Sequence, residues 1–214
     1  VYESLPDDMS SQLEWTQYKQ TRKAIDRVFD KVDKDIVRIT KMDSGQSDEE
    51  IQFETKMSED LDTVVAYFKC FPAGREYLSE ILGLKGSAYK RRAEMLFRAR
   101  EITGKKGKTV QSTLDDGISA LKTSLQYYKE ATENQLKSSG NRIFISSLHW
   151  LLTQYLVLQF VLGEAFDQGL WQIAALTAQT DVDNHEDELW AHGSLMELYL
   201  LRAITDCEKQ DKHE

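Results

Sequence analysis

The residues with the clearest link to chemistry are Gly107-Lys108-Thr109, which match the end of the phosphate-binding pattern G-x4-G-K-S/T. In that pattern, glycine amides wrap the phosphates of a nucleotide and the lysine neutralises their charge. Here the first glycine of the pattern falls on Ile102, and the preceding residues predict a helix where the pattern needs a buried strand. A solvated basic turn therefore explains these residues better than a nucleotide site.

Potential metal ligands lie near the start of the last predicted helix, and they are His185, Glu186, Glu188 and His192. The two histidines are seven residues apart, whereas the helical zinc pattern places them four apart. Asp181-x-Asp183-x-His185 is similar to the start of a calcium loop, but Glu186 stands where such a loop needs glycine. The carboxylates are better explained by the dipole of a helix N-terminus. We therefore expect neither a metal ion nor another cofactor.

The two cysteines, Cys70 and Cys207, are far apart and have no adjacent histidine to act as the base that a thiol nucleophile needs. A pairing with a base in space stays open. The sequence has no serine-centred elbow and no glycine-rich dinucleotide loop. Two reduced thiols are typical of a cytoplasmic protein. We therefore predict a cytoplasmic chain that is not an enzyme.

Both ends of the sequence resemble cut edges. This predicts flanking domains in a longer polypeptide.

Helices must position any site in this chain, because only two prolines and eleven glycines interrupt 214 residues. Apolar residues recur at helical spacing between Tyr18 and Ile39, which predicts a first helix from about Ser11 to Lys41. The same pattern predicts a second helix from Asp48 and a short helix that ends near Leu84, where Gly86 stops it. Five later helices are predicted. The first begins at Ser87, the second contains Leu114–Tyr128 and the third spans Ile143–Leu162. The fourth follows Gly169, and the last contains Leu189–Leu201.

The segment Ile143–Leu162 is the most apolar in the chain and has the length of a membrane span. Polar residues such as His149, Gln154 and Gln159 interrupt it on all sides, and each would need a partner inside a bilayer. A central helix buried on most sides explains the segment better. We therefore expect no contact with a membrane.

Two predicted helices share a pattern of small and bulky residues: Gly117-x3-Leu121-x2-Ser124-Leu125 aligns with Asp167-x3-Trp171-x2-Ala174-Ala175. This pattern resembles the second helix of a tetratricopeptide repeat, where small residues let two helices approach and a bulky one fills the groove between them. Trp190-x2-Gly193 resembles the start of a further repeat, in which Gly193 would permit a close helix contact. Leu121 and Trp171 are 50 residues apart, against about 34 in the family.

The tetratricopeptide-like resemblance covers roughly residues 87–205 and implies an all-α array of antiparallel helical hairpins, preceded by the long N-terminal helix. We predict an N-terminal helical subdomain at 1–84 and a repeat-like subdomain at 85–214, a division that also fits one continuous domain. An unrelated helical bundle whose small residues merely ease packing is the alternative. The resemblance implies protein binding, as a scaffold or as the regulatory or sensor domain of a larger protein. The rivals are a nucleotide- or metal-dependent enzyme fragment and an architectural spacer.

Charge is distributed unevenly along the chain, whose formal net charge is -9. Between Lys85 and Lys108, nine Lys and Arg residues oppose only Glu94 and Glu101, giving +7 there and -16 elsewhere. We predict that a partner contacts eight of these cations, namely Lys90, Arg91, Arg92, Arg98, Arg100, Lys105, Lys106 and Lys108. An acidic protein fits them better than nucleic acid, because the acidic remainder would repel a polyanion. The alternative is that they pair with acidic residues of this same domain.

Overall fold

The structure is a computed structural model that describes residues 9–39, 47–71, 77–103, 110–137, 148–185 and 188–211. Within these ranges the chain forms seven α-helices, a 3-10 turn at Phe68–Cys70 and no strand, which confirms the predicted all-α fold. The helices are α1 (Met9–Ile39), α2 (Ser47–Tyr67), α3 (Leu78–Thr103), α4 (Val110–Lys137), α5 (Leu148–Val161), α6 (Gln168–Asp183) and α7 (Glu188–Asp211).

The first helix follows directly from its apolar periodicity. α1 is described from Met9 to Ile39, and its predicted end at Lys41 lies outside the described residues. Its buried side chains recur three or four residues apart and therefore form one stripe along the helix. α2 packs against α1 and contributes its own buried apolar side chains to this contact. The buried residues of the two helices are Ile25, Phe29, Val32, Ile36, Met57, Leu61 and Val64.

The predicted break at Gly86 is wrong, because α3 runs without interruption from Leu78 to Thr103. Gly86 is buried, and the Ser124 hydroxyl of α4 donates a 2.7 Å hydrogen bond to its carbonyl oxygen. A glycine lowers helix stability by about 1 kcal/mol relative to alanine. The helix nevertheless continues through Gly86, whose buried carbonyl is bonded to the neighbouring helix, so the tertiary structure overrides the local propensity.

The most apolar helix ends one residue before its predicted end at Leu162. α5 runs from Leu148 to Val161, so the first five residues of the predicted helix, 143–147, lie outside the described residues. Among the described residues, no helix is both long and apolar enough to cross a membrane. The polar side chains of His149, Thr153 and Gln154 are buried within the protein, in agreement with the predicted central position of this helix.

Contacts divide the chain into two compact units. One comprises Leu78–Gly83 and Leu125–Glu214, and the other comprises Tyr2–Tyr77 and Leu84–Ser124. The division predicted at residues 84 and 85 does not coincide with these units, because α3 and α4 each contribute residues to both. Which segments fold independently therefore stays a prediction.

The unit that contains α5, α6 and α7 is built around one apolar cluster, to which all three helices contribute. The first turns of α3 pack closely on α5, since a Cβ atom at Gly83 would lie 2.6 Å from Leu151 Cδ2. The Asp167 carboxylate caps α6 by accepting a 3.0 Å hydrogen bond from the Leu170 amide. The cluster consists of Leu152, Leu156, Trp171, Ala174, Leu198 and Leu201.

Candidate functional site

Arg91, one of the eight predicted contact residues, has partners within its own unit. Its Nε and Nη2 atoms donate to the two carboxylate oxygens of Asp33, at 2.7 and 2.8 Å. Its guanidinium carbon also lies 4.1 Å from the centre of the Phe29 ring. A forked pair of this kind is stronger than a single surface ion pair. Arg91 therefore joins α3 to α1. This contact agrees with the alternative in which the cations pair with acidic residues of the same domain.

The other predicted cations differ in their surroundings. Arg92 is exposed and lies 3.9 Å from the Asp62 carboxylate of α2. Lys90 and Arg98 are half-buried, and both make contacts within the protein. The Arg100 side chain and residues 105, 106 and 108 lie outside the described residues. A partner contact through these cations stays a prediction.

We predict that Arg91→Ala lowers the free energy of unfolding by about 1–2 kcal/mol, because it removes a charge-assisted fork and a contact with an aromatic face. Arg92→Ala is the matched control on the same helix, and its expected cost is below about 0.5 kcal/mol. Urea unfolding followed by circular dichroism measures both. Equal costs for the two variants would show that the Asp33 pair contributes no more than an exposed ion pair.

A cleft of about 590 Å³ lies between α2, α3 and α4. Its floor includes the apolar side chains of Met95 and Ala120, and its rim carries hydroxyl and charged groups. The lining contains neither histidine nor cysteine, so it offers no nucleophile paired with a base. The charged residues of the rim are Glu59, Asp62, Arg92 and Asp116.

The other groups that the sequence analysis singled out do not come together in a site within the described part of the chain. Residues 107–109 lie outside it. His185 Nδ1 contacts the Glu188 carboxylate, and among the described residues no group of three or more His, Cys, Asp or Glu side chains is placed to hold a metal ion. Cys70 is an exposed free thiol, while the side chain of Cys207 is not described.

A buried polar contact that the sequence did not predict joins α5, α6 and α7. His149 Nδ1 lies 2.9 Å from the Ser194 hydroxyl, and His149 Nε2 lies 3.4 Å from the Asp181 carboxylate. These residue types also form the triad of serine hydrolases. In such a triad, however, the serine meets Nε2, the carboxylate meets Nδ1, and a substrate reaches the serine. Here all three side chains are buried, so the arrangement binds helices together.

Six of the thirteen large hydrophobic residues that are exposed in the described part of the chain lie on α7. Leu189, Met196 and Leu200 expose 83%, 70% and 61% of their surface. Together with Gly193 and Ala203 they follow one another at intervals of four, three, four and three residues. We call these five residues the outer stripe. This spacing is the heptad spacing of a helix that pairs with another helix.

The outer stripe lies opposite the side of α7 that packs in the core. Successive residues turn by about 100° on a helix, so Leu200 points away from the buried Leu198. Trp190 and Tyr199 flank the stripe and are also exposed. The sequence predicts a single helix through Leu189–Leu201 and does not by itself separate exposed Leu189 from buried Leu198. The structure instead separates α7 into two opposite apolar stripes, a pattern that residue-by-residue angles along the helix would have revealed.

The two glycines of the repeat-like pattern have different surroundings. A Cβ atom at Gly117 would lie 2.6 Å from Phe97 Cε1, so α3 and α4 approach closely there. A Cβ atom at Gly193 would have no neighbouring atom within 4 Å. The expectation that Gly193 permits a close contact with another helix is therefore wrong for the described residues. Gly193 belongs to the outer stripe instead.

Comparison with known proteins gives no match, whether to a family model, to curated proteins or to solved structures.

Proposed function

We propose that this chain is a protein-interaction domain in which tetratricopeptide-like helix packing forms the scaffold and the outer stripe of α7 is a binding surface. The observation that carries the proposal is the exposure of Leu189, Met196 and Leu200 along one side of a helix whose opposite side is fully packed. Contiguous exposed apolar patches with polar rims mark interaction surfaces. A solvated helix face has polar residues in these positions.

The contacts of α7 support the repeat-like part of the proposal. α7 packs against both α5 and α6, and the small Ala174 of α6 lies fully buried in the shared cluster. Trp171 fills the space beside it, as the bulky residue of the repeat pattern does. The close approach at Gly117 supports the same interpretation for α3 and α4.

The basic segment between Lys85 and Lys108 is less important to this proposal than the outer stripe. Arg91 and Arg92 lie beside carboxylates of their own unit, whereas the outer stripe presents hydrophobic side chains to solvent. We keep the remaining cations of the segment as proposed contacts for an acidic protein. A regulatory role, flanking domains and a cytoplasmic location belong to the same proposal.

The test compares three forms of the domain as bait for proteins. The stripe variant carries Met196→Glu and Leu200→Glu, which place two charges on the proposed surface. The control variant carries Gln168→Glu and Gln172→Glu, two exposed positions of α6 that receive the same added charge. Each form is crosslinked to bound polypeptides in the source lysate and analysed by quantitative mass spectrometry, after thermal unfolding has shown that all three are folded.

We expect the unmodified domain and the control variant to retain the same stoichiometric protein, whether a second copy or a different chain. The stripe variant loses it, because a buried carboxylate without a partner is strongly unfavourable in an apolar contact. Retention of that protein by the stripe variant, or no bound protein with any form, contradicts the proposal.

A further inference from the structure

We propose that the outer stripe binds a second copy of this chain, with two α7 helices packed antiparallel about a twofold axis level with Leu198. The inference rests on the proposed function and names the partner of the same surface. The heptad spacing of the stripe suits a helix with an equally spaced apolar stripe, because each knob must enter a hole on the facing helix. α7 is itself such a helix, and a twofold axis makes the same patch serve both sides.

Side-chain sizes match in the proposed antiparallel arrangement. Gly193 of one copy lies opposite Ala203 of the other, and Met196 lies opposite Leu200. Small residues therefore meet small ones near the ends of the contact and large residues meet large ones at its centre. Glycine and alanine let the helices approach closely, so that the long central side chains pack side by side. No cation or carboxylate interrupts the stripe from Leu189 to Ala203.

The residues that flank the outer stripe are complementary about the same axis. On one side, His192 lies beside Asp206 of the second copy, and the twofold symmetry repeats this pair. On the other side, Trp190 lies beside Ile204. All four side chains are exposed in the single chain, and Asp206 also pairs with Arg202 of its own helix at 3.6 Å. An imidazole can donate a hydrogen bond to a carboxylate, and complementary flanking pairs of this kind help to set the orientation of paired helices.

Two flanking residues, Glu197 and Tyr199, lie near the axis, where each faces the same residue of the second copy. Each also contacts another residue of its own chain. Gln154 of α5 donates a 3.2 Å hydrogen bond to the Glu197 carboxylate. Tyr199 packs edge-on against Trp171, with ring centres 5.9 Å apart. Because Glu197 is drawn towards α5, the two carboxylates do not need to meet across the axis. In a parallel pair, His192 would face Glu197 of the second copy, whose carboxylate already accepts a hydrogen bond from Gln154. The antiparallel order is therefore favoured.

The length of the stripe limits the strength of the dimer. The sixteen residues from Leu189 to Ile204 extend over about 22 Å of helix. A contact of one helix with one helix belongs with small, reversible interfaces, which bury below about 1,200 Å² in total. We therefore expect a micromolar dissociation constant rather than an obligate dimer.

Site-directed crosslinking tests the arrangement in a Cys70→Ser, Cys207→Ser background. Gly193→Cys together with Ala203→Cys places a thiol opposite a thiol of the second copy, within reach of a disulfide. We expect mild oxidation to convert most of this variant into a covalent dimer on non-reducing gels. The single variants Gly193→Cys and Ala203→Cys lack a facing thiol and stay monomeric. Covalent dimers of the single variants would show a parallel pair and overturn the proposal.

The unmodified domain is measured by light scattering over a concentration series. The mass is expected to rise from 24.7 kDa towards twice that value, with Met196→Glu raising the dissociation constant at least about tenfold, since a lone carboxylate is costly in an apolar contact. Gln172→Glu, outside the stripe, leaves it unchanged. A monomer at millimolar concentration overturns the dimer. The protein-binding function survives that result if the stripe variant still loses a different protein, and both fail if nothing binds.

Discussion

Trp171→Ala is expected to lower the free energy of unfolding by about 3–5 kcal/mol, the range for truncating a large buried aromatic residue. Trp171 is 6% exposed and contacts the apolar cluster shared by α5, α6 and α7. Its indole Nε1 donates a 2.9 Å hydrogen bond to the Leu198 carbonyl oxygen. The Arg202 guanidinium also lies 4.6 Å from the ring centre. Alanine removes all of these contacts and leaves a cavity between the helices.

Trp190→Ala is the matched control, because Trp190 is 68% exposed on the same three-helix unit. Its expected cost is below about 0.5 kcal/mol, as for most surface substitutions, at protein concentrations well below the dissociation constant of the proposed dimer. Trp171→Phe should cost less than alanine, since the phenyl ring fills most of the space and only the indole donor is lost. Urea unfolding followed by far-ultraviolet circular dichroism measures the three variants. A Trp190→Ala cost as large as that of Trp171→Ala would place Trp190 in a buried contact and exclude an open outer stripe.

The helices could be predicted from sequence because their signals are local. The stripe of α1 from Ile25 to Ile36 recurs every three or four residues, so the presence of this helix followed from spacing. Gly86 misled the prediction, because helix propensity ignores the hydroxyl of Ser124, which lies 38 residues away in the sequence. Whether a helix continues through a glycine depends on tertiary packing, and the local sequence carries no signal of that packing.

The candidate surfaces were harder to predict because they depend on which helix faces which. The basic segment was visible as a run of charge, but the partner of Arg91 is Asp33, 58 residues away. His149 and Ser194 are 45 residues apart and follow no recognisable spacing. The outer stripe was present in the sequence as heptad intervals from Leu189 to Ala203. Its exposure became apparent only when the opposite side of α7 was seen to be packed.

The polar and apolar contacts of α7 have different roles. Its inner side contributes Ser194 to a buried polar contact and Leu198 to the apolar cluster, and both fix one packing of three helices. Its outer side contributes to neither and is available to a partner. A change on the inner side should therefore alter stability, whereas a change on the outer side should alter association.

His149→Ala is the second substitution with a large expected effect, a loss of about 3–5 kcal/mol of unfolding free energy, as when one member of a buried polar pair is removed. The ring is 1% exposed and fills the space between Ser194 and Asp181. Without the ring, the serine hydroxyl and the aspartate carboxylate lose a buried contact, and the apolar atoms of the ring lose their packing. Ser194→Ala alone should cost about 1–3 kcal/mol, the range for removing one partner from a buried hydrogen bond.

His192→Ala controls for the histidine, since His192 is exposed on α7 and should cost less than about 0.5 kcal/mol. The double variant His149→Ala, Ser194→Ala completes a thermodynamic cycle. We expect its cost to fall below the sum of the single costs by about 1 kcal/mol or more, because the two side chains contact each other. Additive costs would mean that the contact between His149 and Ser194 adds nothing to stability. In that case His149 acts through the packing of its ring and its contact with Asp181, and Ser194 does not help to fix the three helices.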